Sequence, residues 1–386
     1  MTMDAITDLP GIPLVRPSFQ RPELVLSRIA RSLDVGSLTA GEAVAELERS
    51  AETYLGVRHC IAVASCTTGL MLVLKAADLR GEIVMPSFTF VATANAAEWN
   101  GLTPAFADIL PGTLTLDPAR AADSIHTRTC AIVATHLYGT PAEAEALETL
   151  AARTGIRVFF DAAHAFGAER AGRRVGGFGD AEVFSLSPTK PLVAAEGGII
   201  ATNDDLLAER CRIGRDYGHP GDYDARFSGL NGRMSELHAA VALASFADLE
   251  ERLAERAQLA GLYREALGPI PGIRFPEVPK GDRSTYKDLT ILIDPDRFGV
   301  GADEVAARLA AAGIETRRYY APPVHRMRAY RAHAGRALPM TDTASRQALS
   351  LPLWTGMGPR RIERVAAEVI EAGRGKGTPM RVVHVP

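Results

Sequence analysis

The sequence predicts an α/β protein in which a parallel or mostly parallel sheet is covered by helices on both faces, with a smaller α+β domain following it. Three observations carry this prediction. Short apolar runs recur between residues 60 and 204, too continuous for strands with one wet face. Segments with apolar residues at helical spacing alternate with them. Beyond Asn231 the pattern changes to one long helical stretch and then shorter mixed elements, in a chain of 386 residues that exceeds the usual single domain.

The elements follow in order. After an extended start, LVLSRIARSLDVG (24–36) reads as a helix, and GEAVAELERSAETYLG (41–56) repeats apolar residues at helical spacing up to a glycine stop. CIAVAS (60–65) is a short strand, TTGLMLVLKAADL a helix, EIVMPS a strand and FVATANAAEWNG a helix that ends at Asn-Gly. TPAFAD, CAIVATHL, IRVFFDAAH, AEVFSLS and GGIIATND continue the strands, with helical EAEALETLAARTG between the second and third of these. In such sheets ligands sit at the carboxyl ends of the strands. Residues 234–267 form a long helical stretch, broken at most once, that leaves the large domain. The remainder offers a strand in YKDLTILID, a helix in GADEVAARLAAAG, a strand in ETRRYY and a helix in PRRIERVAAEVIEAG; the last ten residues read as a tail.

Composition excludes several classes of function. A net charge of -3 gives no basic footprint for nucleic acid or anionic lipid. No apolar run approaches the ~18 residues of a membrane helix, and the amino terminus MTMDAITDLPGIPLVRP lacks a secretory pattern, so a cytoplasmic location is expected. The cysteines at 60, 66, 130 and 211 are scattered, which points to reduced thiols and to no metal site. Lysine occurs only at 75, 190, 280, 287 and 376, in a chain whose other basic residues are arginine. A lysine in an apolar, turn-rich setting is then a candidate for a task arginine cannot do.

Asp161 directly follows RVFF and Lys190 ends FSLSPTK, so both charges fall where strands end. Taken singly, Asp161 reads as a helix cap or a buried ion pair, and Lys190 as a surface lysine. Together they are the two protein groups that pyridoxal phosphate most requires: a Schiff-base lysine, and a carboxylate that keeps the ring nitrogen protonated. A phosphate anchor is available at Ser65-Cys66-Thr67-Thr68, between a strand and a helix, where backbone N–H groups and the helix dipole favour an anion. Thr67 and Ser185 can add hydroxyl donors, though the same turn is also an ordinary cap. Phe90 can cover the ring; in isolation it would be assigned to the core.

These residues resemble the DegT/DnrJ/EryC1/StrS aminotransferases. The resemblance covers nearly the whole chain and rests on SLTAGEAVAELE, SCTTGL, PSFTFVATANA, HLYG, DAAHAFGAERAGRRVGGFGD, FSLSPTKPLVAAEGG, GLNGRMSELHAA and YYAPPVHRM, in that order. It implies fold type I of the pyridoxal-phosphate enzymes: residues 1–250 as N-terminal segment and large α/β domain with a mostly parallel seven-stranded sheet, and 251–386 as the small α+β domain. It implies that Lys190 forms the Schiff base, Asp161 partners the pyridine nitrogen and His164 lies near the ring oxygen. Cys66, Thr67 and Ser185 match phosphate contacts, and Asn231 matches a residue that reaches the phosphate from the neighbouring subunit of a homodimer. Arg233, Tyr319, Tyr320 and His325 are the substrate-side candidates. Two departures stand out: most relatives have Gly at Cys66, and two alanines where Thr68 and Gly69 stand, which implies reduced room near the anion. Lysine at 190 distinguishes the chain from related sugar dehydratases that carry His there.

The activity implied is transfer of an amino group from L-glutamate to a nucleotide-linked keto sugar, with YYAPPVHRM pointing to a dTDP-4-keto-6-deoxyhexose. A 3-keto sugar or a keto-cyclitol is the alternative acceptor. A pyridoxal-phosphate-binding regulator without turnover is the remote one, for which the sequence leaves no DNA-binding segment.

Overall fold

The computed structural model describes residues 11–374, so the expected tail lies outside the described residues. The chain first forms β1 (His59–Val63), β2 (Glu82–Pro86), β3 (Thr103–Ala107), β4 (Thr129–Thr135) and β5 (Arg157–Asp161). A two-stranded ribbon, β6 (Glu169–Arg170) and β7 (Arg173–Arg174), precedes β8 (Ala181–Ser185) and β9 (Gly198–Thr202). Seven of these strands build one sheet in the order β1-β9-β8-β5-β4-β2-β3. Strand β9 pairs antiparallel with both β1 and β8, and the other pairings are parallel.

The apolar runs bury both faces of this sheet. Along β5, Val158 and Phe160 enter one apolar cluster with Val84, Ile132 and Phe184, while Phe159 enters the opposite one with Ile83, Val133 and Val183. Successive side chains of a strand point to opposite faces, so a strand covered on both sides has no polar alternation. Each fully buried residue of this size contributes ~1.5–3 kcal/mol. Helices Glu42–Leu55, Ala144–Thr154 and Glu236–Phe246 cover the first face; Cys66–Ala76, Ala92–Glu98 and Asp205–Gly214 cover the second.

The expected long helix divides at Ala247 and Asp248 into Glu236–Phe246 and Leu249–Leu267. Leu249 and Leu253 of the second helix join the core of the large sheet, whereas Leu259, Tyr263 and Leu267 join a third cluster. That cluster packs an antiparallel sheet of β10 (Ile273–Arg274), β11 (Leu289–Ile293) and β12 (Ala348–Leu351) against helices Ala302–Ala311 and Pro359–Arg374. The strand expected in ETRRYY does not form. Ile314 and Arg317 make single bridges to Ile12 and Ser350, and the Arg318 guanidinium donates to the carbonyls of Ser345, Arg346 and Ala348, drawing the segment into a turn. The place beside β11 goes to β12, a four-residue run for which the sequence reading assigned no strand. Helices Pro118–Ser124, Asp205–Gly214 and Pro339–Gln347 also lie outside that reading.

Candidate active site

The carboxyl ends of β4, β5 and β8, the start of β9 and the first turn of helix Cys66–Ala76 surround a cavity of about 270 Å³. Cys66, Thr67, Phe90, Asp161, His164, Ser185, Lys190, Tyr319 and Tyr320 line it. The fold therefore gathers nine of the sequence candidates, from segments up to 254 positions apart, at one place.

At one end sits Asp161, 3 % exposed. The Thr93 hydroxyl donates to its Oδ2 at 2.6 Å and the Ala163 N–H to its Oδ1 at 3.1 Å. Thr89 links Thr93 to Thr135 through 3.0 Å hydroxyl contacts. Burial pushes the Asp161 carboxyl above its usual range, against the Thr93 and Ala163 hydrogen bonds and the charge of Lys190. Asp161 forms no ion pair among the described residues, so it is a buried carboxylate that a cationic partner would stabilise.

Lys190 follows β8 in a turn closed by its own N–H on the Ser187 carbonyl at 3.0 Å. Burial, and then the charge of Lys287, lower its ammonium from 10.5 to about 8. Lys287 is a second cavity lysine, 4 % exposed, that donates to Asp288 at 2.7 Å and lies 5.3 Å from the centre of the Tyr319 ring. His164 accepts the Tyr138 N–H on Nδ1 at 3.2 Å, which leaves its ring proton on Nε2. Burial and the two lysines hold this imidazole well below its ordinary pKa, so it remains neutral.

At the other end, Ser65 caps helix Cys66–Ala76 by accepting the Thr68 N–H at 3.1 Å. The N–H groups of Cys66 and Thr67, in the first helical turn, have no partner within the helix. The departures at Cys66 and Gly69 fit the packing. The Cys66 thiol reaches the Val183 carbonyl at 3.5 Å, and burial pushes its pKa well up, so it is an inert thiol. A Cβ at Gly69 would come within 2.6 Å of Val183, and one at Gly198 within 2.7 Å of the Cys66 nitrogen. Both glycines let the helix start press onto the sheet.

Three candidates lie elsewhere in this chain. Asn231 is exposed and bridges Asp216 through the backbone. Arg233 pairs with Asp216, with its guanidinium 5.2 Å from the centre of the Tyr217 ring. His325, 3 % exposed, is clamped between the Ser87 hydroxyl at 2.6 Å and Asp342 at 3.3 Å. The sequence reading missed Thr93, Glu196 and Lys287. Of these, Lys287 carried a usable signal, because it belongs to the same scarce residue type that singled out Lys190.

The cavity thus offers an anion-binding helix start, a lysine that readily loses its proton and a buried acid awaiting a cation, spaced around one volume. Pyridoxal phosphate asks for these three, and the fold and site define a pyridoxal-phosphate-dependent aminotransferase. The model of the DegT/DnrJ/EryC1/StrS aminotransferase family matches residues 22–370, and the chain belongs to that family. It is 34% identical to dTDP-3-amino-3,4,6-trideoxy-alpha-D-glucose transaminase of Streptomyces venezuelae, over 90% of either chain. It is 33% identical to UDP-N-acetyl-3-dehydro-alpha-D-glucosamine 3-aminotransferase of Acidithiobacillus ferrooxidans, over 89% of this chain and 92% of that one. Among solved structures, DesI in the presence of its TDP-sugar product superposes with a TM-score of 0.91 at 37% identity, covering 96% of this chain and 95% of that one. The protein is a sugar aminotransferase.

Proposed function

We propose that the chain moves the amino group of L-glutamate to a dTDP-4-keto-6-deoxyhexose by a ping-pong route, 2-oxoglutarate leaving before the sugar enters. The observation that carries this is the meeting of Lys190 and Asp161 in one cavity bordered by Tyr319 and Tyr320. Bound there, pyridoxal phosphate supplies an electron sink that stabilises negative charge on the substrate carbon. The Cys66 and Thr67 N–H groups, with the Thr67 and Ser185 hydroxyls, hold its phosphate. Asp161 keeps a proton on the ring nitrogen, Thr93 orients Asp161, and neutral His164 donates from Nε2 towards the ring oxygen. Phe90, 55 % exposed at the cavity wall, covers the ring. The Lys190 amine, deprotonated above about pH 8, takes and returns the proton at the substrate carbon. Tyr319 and Tyr320 face the sugar, while His325 shapes that wall from behind.

In this reading the working unit is a homodimer. Asn231, exposed and away from its own cavity, reaches the partner's phosphate site, and Arg233 fixes the segment that presents it. None of the described helices is long and apolar enough to cross a membrane, which accords with the cytoplasmic location that we propose.

A second reading, amination of a 3-keto sugar, is favoured by the relatives whose printed names specify C3. One experiment separates the two. The holoprotein is bleached with L-glutamate, freed of donor and offered 3-keto and 4-keto nucleotide sugars; the acceptor that restores the original absorbance is the substrate. Failure of glutamate to bleach the wild type would overturn the donor assignment, and bleaching of Lys190→Ala would overturn the role of the lysine.

A further inference from the structure

The turn that carries Lys190 has a second, smaller cavity against it. It measures about 20 Å³ and is walled by Pro188, Lys190 and Pro191 of the turn and by Arg16, Arg252 and Arg256. Arg252 is 3 % exposed. Its Nη1 donates to the Ser245 hydroxyl at 2.8 Å and to the Pro191 carbonyl at 3.4 Å, but its buried Nε and Nη2 find no acceptor among the described residues. The buried Nη1 of Arg16 likewise finds none. Arg256, 4 % exposed, spends its donors on the carbonyls of Tyr286 and Lys287.

None of these three guanidiniums forms an ion pair with a carboxylate among the described residues. Asp248, whose charge reaches Arg252, is paired with Arg21, and Asp288, one of two acids that reach Arg256, is paired with Lys287; the other, Glu255, accepts the Gly356 N–H and makes no hydrogen bond or ion pair with the three guanidiniums. Burial draws Arg256 down to about 10 and lowers Arg252 as well, the sign of cations short of counter-charge. Burying a charge without a partner is costly, and a water molecule would satisfy the donors while leaving the charge uncompensated. A void needs ~10–15 Å³ to hold one water-sized particle, so the space between the arginines suits one small ion.

We propose that this cavity is a binding site for one small monovalent anion of halide size, held by Arg252 and Arg16. The ion neutralises the arginine cluster and fixes Arg252, whose contact with the Pro191 carbonyl steadies the turn beneath Lys190. This site is distinct from the volume that takes cofactor and sugar, although Lys190 borders both.

The test uses the holoenzyme and bromide. Crystals grown in bromide should show an anomalous peak between Arg16 and Arg252. In solution the thermal midpoint should rise saturably with chloride at constant ionic strength made up with gluconate, because a ligand that binds the native state alone stabilises it by mass action. Arg252→Gln and Arg16→Gln should lose that rise, and sulfate should not replace chloride. A cavity holding only water in bromide-grown crystals, or equal midpoints in chloride and gluconate, would refute the site. So would a chloride response kept in full by the variants. Should Arg252→Gln fail to fold, Arg16→Gln decides the matter, since Arg16 is only half-buried.

Discussion

A lysine must shed a proton before its amine can attack a carbonyl, and the surroundings of Lys190 favour that loss. Burial and the Lys287 charge bring its pKa from 10.5 to about 8. The rate at which apoprotein takes up pyridoxal phosphate should therefore climb through about pH 8, and Lys287→Met should move the midpoint upward, as stopped-flow absorbance across pH 6–10 would show. Between pH 8 and 10.5 the unfolded chain binds more protons at this position than the folded one, so Lys190 makes the apoprotein more stable as pH rises through that window. Thr93→Val removes a hydrogen bond to a charged group, worth ~1.5–3 kcal/mol; cofactor titration should show affinity down about 10-fold or more. Asp161→Asn keeps the shape but loses the charge, and single-turnover rates should drop by ~10²-fold or more. Asp161 was legible as a charge closing the apolar run RVFF, and Lys190 as a scarce lysine in the turn five residues after β8; each has an ordinary explanation alone, and the pair pointed to one cofactor. Thr93 was not, since nothing in FVATANA marks a threonine whose partner lies 68 positions away.

At the scale of elements, the strands were legible wherever both faces are buried, because an unbroken apolar run such as RVFF has no other comfortable place. The C-terminal part was harder to read. ETRRYY holds the strand-favouring Thr316, Tyr319 and Tyr320, but Arg318 spends its donors on backbone carbonyls around β12, and the Pro322-Pro323 pair that follows withholds ladder donors. ALSL, too short to carry a period, takes the position instead. The helix start at the proposed phosphate site is testable by itself. Ser65→Ala removes the cap on Thr68 and should cost ~1 kcal/mol, whereas Gly69→Ala forces a methyl against Val183 and should cost ~1–3 kcal/mol. Urea unfolding of the apoprotein measures both, and equal stability of Gly69→Ala and wild type would refute the close packing.

At the scale of the whole molecule, the proposed dimer makes a quantitative prediction. If Asn231 serves the partner's site, a chain lacking Lys190 and a chain lacking Asn231 each contribute what the other needs. Dissociating and reassociating equal amounts of Lys190→Ala and Asn231→Ala should give heterodimers in half the population, each with one intact site, and so about one quarter of wild-type activity. Activity no higher than the average of the two parents would place Asn231 in its own subunit's chemistry or outside the chemistry altogether.

The single reversed strand, β9, has a consequence for how the site comes into being. Because β9 returns antiparallel to β8, with Ser185 opposite Gly198, the Lys190 turn spans the gap between two adjacent strands and needs no helical crossover to close it. Contacts of such short sequence separation carry little loop-closure entropy and can form before distant ones. The lysine would then be seated by its own neighbourhood during folding, and the long-range docking of the small sheet would complete a cavity in which the nucleophile already stands.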